Sequence, residues 1–172
     1  IAEQKHLKFP ITLGDRLPDF IYTDSQRLKQ ILNNLLSNAF KFTSQGEVAL
    51  EIRRPARSEV AWLKLDADQS IAIAVRDTGI GVPKDKQGLI FEAFQQVDGT
   101  TSRKYGGTGL GLSISRQLSR LLGGEIMLIS EEGKGCTFIF YLPDTYSSAL
   151  SQEALKRSEM PSMRTVTATG SD

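Results

Sequence analysis

Apolar residues recur at Leu28, Ile31, Leu32, Leu35, Leu36, Ala39 and Phe40, the spacing of one helical face, directly after the N-cap residue types Asp24 and Ser25. This predicts an amphipathic helix from Asp24 to about Thr43. Strict alternation follows: Val48, Leu50 and Ile52 against Glu47, Ala49 and Glu51 in a strand opened by Gly46, then Ile71, Ile73 and Val75 in a strand ending at Asp77. His6 to Leu13 and Asp19 to Tyr22 read as short edge strands around a turn-rich Gly14 to Pro18, and a hairpin strand is expected around Val60 to Leu65. Pro83 suits the first turn of a helix running to about Phe94. Gln95 to Gly109 is polar and glycine-rich without periodicity, the signature of a mobile loop. Helical spacing returns from Leu110 to Leu122 and stops at Gly123-Gly124. Glu125 to Ile129 and Cys136 to Leu142 then form a hairpin across Glu131 to Gly135. Strand runs interrupted by three helices, without regular βαβ alternation, predict an α/β fold of the two-layer α+β kind. Its mixed, mostly antiparallel sheet would be covered on one face by about three helices.

Length and charge bound the reading. The chain's 172 residues suffice for one well-buried core, assigned to residues 1–144; beyond Pro143 the content turns to Ser, Thr, Met and charged residues, so 145–172 reads as a linker or tail. A net charge of +1 without a long basic run leaves no electrostatic footprint for nucleic acid, and no apolar run approaches the ~18 residues of a membrane span. No direct membrane contact is expected of this segment. Cys136 is the single cysteine and fits a cytoplasmic, reducing compartment. The chain opens on Ile1 rather than Met, as expected of a piece of a longer protein.

Two constellations carry candidate chemistry. On the first helix Asn34, Asn38 and Lys41 fall at i, i+4 and i+7, a stripe roughly opposite the apolar face. Asparagine is a poor helix former, so two aligned asparagines are costly on a merely solvated face. An amide oxygen suits Mg²⁺, and a lysine one turn on suits phosphate. Solvated face and ion site both remain open on spacing alone. The second constellation is Gly106-Gly107-Thr108-Gly109-Leu110-Gly111-Leu112-Ser113, which runs into a helix whose free first-turn N–H groups attract anions; turn and cap glycines use the same residues. It lacks the Gly-Lys-Ser/Thr ending of a Walker A loop and the preceding strand of a dinucleotide fingerprint. Arg103 and Lys104 just before it either solubilise the loop or fold over a polyphosphate. Phe91 and Phe94 have the spacing of core packing, with a hinge for the loop that follows as the other reading. His6 is the only histidine, so metal-histidine and triad mechanisms have nothing to use. Asp77-Thr78-Gly79 matches the triplet around an aspartic protease's carboxylate, but that chemistry needs two close carboxylates and the chain has one Asp-Thr-Gly. A homodimer could supply the second, but the asparagine stripe, loop cations and glycine cluster would then have no role.

Taken in order, these pieces resemble the catalytic ATP-binding domain of sensor histidine kinases, whose Bergerat nucleotide fold is shared with gyrase and MutL. The resemblance runs from about Leu7 to Pro143, with the N box in Gln30 to Thr43, the G1 box in Asp77 to Gly81, the F box in Phe91 to Phe94 and the G2 box in Gly107 to Leu112. It implies a protein histidine kinase portion that uses ATP and Mg²⁺. Asp77 would accept the adenine amino group, helped by Thr137 through a water, while Gly79 and Gly81 let the purine approach. Asn38 would hold Mg²⁺ with Asn34 in support, and Lys41 would contact phosphate. A lid from Gln95 to Gly106 would carry Arg103 and Lys104, which with Asn34 and Lys41 form the implied catalytic set. Phe94, Tyr105 and the G2 residues Gly107, Thr108, Gly109, Leu110, Gly111 and Leu112 would complete the ATP site. Relatives that hydrolyse ATP carry a glutamate at the position of Asn34, and an amide cannot take a proton from water at neutral pH. His6 lacks an acidic neighbour and stands before a strand, so the phosphoacceptor histidine is expected on a separate dimerisation and histidine-phosphotransfer domain. A receiver domain and a homodimeric full-length protein, possible membrane anchor included, complete the implied partners. A nucleotide-sensing module without phosphotransfer and an ATP hydrolase are the alternatives.

Overall fold

In the computed structural model, residues 2–92 and 110–145 are described. Strands β1 (Ile11–Leu13), β2 (Val48–Arg53), β3 (Ser70–Asp77), β4 (Glu125–Glu131) and β5 (Gly135–Pro143) form one five-stranded sheet in the order β1-β2-β3-β5-β4. β1 runs parallel to β2 and the remaining neighbours pair antiparallel, so the sheet is mixed and mostly antiparallel, as expected. The N-terminal extended segments are shorter than expected. Only Ile11–Leu13 makes a strand, while Lys8 and Tyr22 make isolated bridges to Glu47 and Thr145.

Helix α1 (Ser25–Phe42) follows its sequence signals closely. Asp24 Oδ1 accepts the N–H groups of Gln26 and Arg27 at 3.0 and 3.1 Å, satisfying two donors left over by helix geometry. At the other end Lys5 Nζ donates to the Phe40 carbonyl at 2.5 Å, a cation on the negative end of the helix dipole. Ile31, Leu35, Ala39 and Phe40 are buried against Ile71, Ile73 and Val75 of β3 and Phe138, Phe140 and Leu142 of β5.

The alternate residues of the same strands, Ala72, Ala74, Ile139 and Tyr141, face the opposite side and meet a second, smaller core. Here the expected hairpin strand at Val60 to Leu65 is replaced by a short helix α2 (Arg57–Val60), a 3₁₀ turn at Ala61–Leu63 and another at Ala67–Gln69. Val60, Leu63, Leu65 and Ala67 are buried in that cover. Their spacing suited a strand only while no second sheet face was available to bury them. Glu59 pins the cover: its carboxylate accepts from Arg53 Nη1 and Nη2 at 2.8 and 2.7 Å, from the Ala56 N–H at 2.7 Å and from the Tyr141 hydroxyl at 2.9 Å. The Arg53 guanidinium, more than the other partners, holds the Glu59 carboxyl down at about 2, from an ordinary 4.5. A depressed carboxyl stabilises the fold above its unfolded value and loses that contribution as pH falls from about 4.5 through about 2. Glu59→Gln should therefore cost about 1.5–3 kcal/mol at pH 7, the range for hydrogen bonds to a charged group. In denaturant unfolding, the gap between variant and parent should narrow toward pH 2; a gap independent of pH would remove the electrostatic account.

The helix expected from Pro83 is also replaced, by a turn and a 3₁₀ turn at Leu89–Phe91. Gln87 explains why: it is buried, and its Nε2 donates to the carbonyls of Val82 and Ser130 at 2.9 and 3.0 Å, tying the segment to β4. Helix α3 (Gly111–Leu121) forms as predicted and ends before Gly123, whose φ is +82°. Its lie is fixed by Glu125, buried at the start of β4, which accepts from Arg116 Nε and Arg120 Nε at 3.0 Å each. Among the described residues no helix is long and apolar enough to cross a membrane.

Candidate functional site

β3 delivers Asp77 to the helix-covered face of the sheet, where it is only 6% exposed. Its Oδ1 accepts the backbone N–H of Gly79 at 2.9 Å and that of Cys136 at 3.3 Å. Burial raises the Asp77 pKa, and these two N–H groups oppose the rise. One carboxylate oxygen is thus committed to the protein and the other takes neither bond. The G1 glycines serve the chain's own packing. A Cβ on Gly79 would strike the Phe42 carbonyl and come within 2.9 Å of Asp77 Oδ1, and one on Gly81, whose φ is +68°, would strike the Glu131 carbonyl. The space expected to admit a purine beside these glycines is, on the side of the missing Cβ, filled by backbone.

The register corrects one residue. Thr137 pairs with Arg76 of β3 and with Ile129 of β4, on the sheet face opposite Asp77. Cys136 is the residue of β5 that stands beside Asp77 on its own face, and it contributes a backbone donor. Its thiol lies 3.2 Å from Ser130 Oγ and burial pushes it up to about 11, which leaves it protonated at neutral pH. Nothing in the sequence alone fixed the parity of β5; the pairing did.

Asn34, Asn38 and Lys41 are all half-buried on α1, with Lys41 Nζ 5.1 Å from the centre of the Phe42 ring. Asn34 is the point where α1 meets the end of the G2 box. Its Nδ2 donates to Ser115 Oγ at 2.8 Å, and its amide lies so close to Gly111 that a Cβ there would collide with Oδ1. The C-terminal end of α1 meets Gly79 through the Phe42 carbonyl. Asn34 and Phe42 are eight residues apart, so about 12 Å of helix separates the carboxylate end of the site from the α3 end, with Asn38 midway. Leu112 packs on the core, and the carbonyl of Leu110 accepts from Ser113 Oγ at 2.9 Å and from the Ile114 N–H at 3.0 Å. Phe91 of the F box stacks its ring edge on Phe138, 6.3 Å between centroids, and receives the Arg116 guanidinium at 4.8 Å. Phe94, Arg103, Lys104, Tyr105, Gly107, Thr108 and Gly109, and with them the lid, lie outside the described residues.

Comparison with known proteins agrees with this arrangement. Residues 23–146 match the family described as histidine kinase-, DNA gyrase B-, and HSP90-like ATPase. The chain is 37% identical over 141 residues to signal transduction histidine-protein kinase BarA of Escherichia coli strain K12, covering 82% of this chain and 15% of that protein. It is 43% identical over 160 residues to hybrid signal transduction histidine kinase A of Dictyostelium discoideum, covering 87% of this chain and 7% of that one. The chain therefore spans only a small part of these relatives. Among solved structures, full-length ShkA in complex with AMPPNP superposes with a TM-score of 0.67 at 34% identity, over 87% of this chain and 28% of ShkA.

Proposed function

We propose that this chain, which belongs to the histidine kinase-, DNA gyrase B-, and HSP90-like ATPase family, binds Mg²⁺-ATP and donates its γ-phosphoryl group to a histidine on a separate domain. The observation that carries the reading is the pairing of two ends on one face: a buried aspartate whose two backbone hydrogen bonds among the described residues both go to one oxygen, and an asparagine amide set against the first turn of α3. The first end suits a purine amino group, and the second suits phosphates with their cation. Asn38, with Asn34 in support, offers neutral amide oxygens that fit a hard cation whose other ligands are phosphate oxygens and water. Bound there, Mg²⁺ would neutralise charge on the phosphates.

Asp77 then holds the base, Lys41 meets phosphate oxygens, and Arg103 and Lys104 close over the polyphosphate from the lid, so that catalysis is positioning and charge neutralisation. The bond from the γ-phosphorus to its bridging oxygen breaks, a phosphorus–nitrogen bond to the incoming histidine forms, and ADP leaves. Asn34 cannot activate water, which favours transfer over hydrolysis. The histidine belongs to a dimerisation and histidine-phosphotransfer domain, and a receiver domain is the next acceptor, in keeping with the hybrid name of a relative. Residues 1–144 form the catalytic unit in this reading, 145–172 a linker or tail, and the domain works on the cytoplasmic side in a homodimer.

Adding isolated phosphoacceptor helices and labelled ATP to the 172-residue chain is expected to yield acid-labile phosphohistidine on the helices, with little free phosphate in their absence. Asn38→Ala should reduce the Mg²⁺ dependence of ATP binding and slow transfer by at least about 10-fold, the size of a lost charge-assisted contact. Rapid phosphate release without acceptor would point to a hydrolase, and tight ATP binding with neither product to a nucleotide sensor.

A further inference from the structure

Helix α3 buries three serines, Ser113, Ser115 and Ser119. Two of them satisfy themselves locally: Ser113 Oγ donates to the Leu110 carbonyl at 2.9 Å and Ser119 Oγ to the Arg116 carbonyl at 2.7 Å. Ser115, 1% exposed, reaches across to α1 and accepts from Asn34 Nδ2 at 2.8 Å. That bond is not what docks α3. Arg116 and Arg120 already hold the helix to Glu125, and Leu112, Leu118 and Leu122 hold it to the core.

We infer that Ser115 is a positioning residue, one that fixes which end of the Asn34 amide faces the phosphates and their cation; this rests on the Mg²⁺-ATP reading above. An asparagine amide presents an acceptor at one end and a two-proton donor at the other, and only the acceptor end can support a cation. With Nδ2 held by Ser115 and Gly111 packed against the amide, Oδ1 is the end left at the first turn of α3. Without the hydroxyl, a half-turn of the amide puts N–H groups where an oxygen is required. Ser115 thus acts through Asn34 and touches no nucleotide itself.

The test compares the 172-residue chain with Ser115→Ala, Asn34→Ala and the double variant, measuring affinity for ATP with and without Mg²⁺ and for adenosine, together with the Asn34 side-chain amide signals in nitrogen-15 NMR spectra. Ser115→Ala is expected to weaken Mg²⁺-ATP binding about 5- to 10-fold, the worth of one lost hydrogen bond. Adenosine affinity should stay within about 2-fold, because the purine end is held by β3 and β5. The Asn34 amide signals should move, the double variant should be no weaker than Asn34→Ala, and Ser115→Thr, which keeps the hydroxyl, should restore the Asn34 signals. Equal losses for adenosine and Mg²⁺-ATP, or a double variant in which the two losses add, would overturn the inference in favour of simple helix packing. A parent chain whose ATP affinity ignores Mg²⁺ removes the metal reading and the inference with it. A Mg²⁺-dependent parent and an equally Mg²⁺-dependent Ser115→Ala chain removes the inference alone.

Discussion

Asp77→Asn is expected to abolish the preference for adenine nucleotides while leaving the protein folded. An asparagine can keep the inward bonds, its one oxygen accepting from Gly79 and Cys136 as Oδ1 does now. The outward end then becomes an N–H₂ donor facing the donor amino group of adenine, so an attraction is replaced by a donor–donor conflict. ATP affinity should fall about 10- to 100-fold, the worth of a charge-assisted hydrogen bond, and purines with a 6-oxo group should lose much less. Stability should move the other way. Burial raises the Asp77 pKa, so the folded state holds a proton more tightly than the unfolded chain, and stability falls as pH rises from 3.8 through the raised value. Removing the ionisable group should relieve that loss, leaving the variant at least as stable as the parent at pH 7. Competition binding with ATP and GTP, and urea unfolding at two pH values, would check both halves. Unchanged ATP affinity would remove Asp77 from the recognition of the base.

Gly81→Ala is expected to be among the most damaging single-methyl changes outside the apolar core, and Gly133→Ala is its control. Both glycines have positive φ, +68° and +79°, so each pays a similar conformational penalty of about 1–2 kcal/mol when a side chain is added. They differ in surroundings. Nothing lies within 4 Å of a Cβ on Gly133, whereas one on Gly81 strikes the backbone of Glu131, which β4 holds in place. Overpacking against a fixed backbone adds about 1–3 kcal/mol, giving a total near 2–5 kcal/mol for Gly81→Ala against about 1–2 for Gly133→Ala. Nucleotide binding should weaken with Gly81→Ala alone, since the Gly79 to Gly81 turn carries a donor to Asp77. Equal effects in denaturant unfolding would show that conformation, and not the approach of β4, requires Gly81.

What the sequence made legible follows from period and caps. Helix α1 was readable because seven apolar positions shared one face and Asp24 stood where a cap belongs. β3 was readable by alternation, and the end of α3 by Gly123. Thr137 was misread because strand parity depends on pairing: once Arg76 faces Thr137, Cys136 must share the side of Asp77. The segment at Val60 to Leu65 was misread because its apolar residues serve a second core that no local pattern announces. The helix at Pro83 gave way to a turn in which one glutamine, Gln87, bonds the carbonyls of Val82 and of Ser130 on β4. Ser115 was invisible as well, since a serine on a helix carries no sign of whether its hydroxyl serves its own turn or a neighbour.

The cover formed by residues 57–69 has a consequence for how this domain can vary. Ala72 and Ala74 of β3 and Ile139 and Tyr141 of β5 look toward the cover while Ile71, Ile73, Val75 and Asp77 look toward the opposite face, so a change in the cover reaches that face by displacing the backbone of β3 or β5. One carboxylate, on Arg53 and Tyr141, anchors the cover, so changes of length or charge that keep Glu59 and the apolar contacts are expected to leave the proposed base-binding end in place. One side of the sheet is held by the contacts of Asp77 and α1, and the other has fewer constraints on its composition.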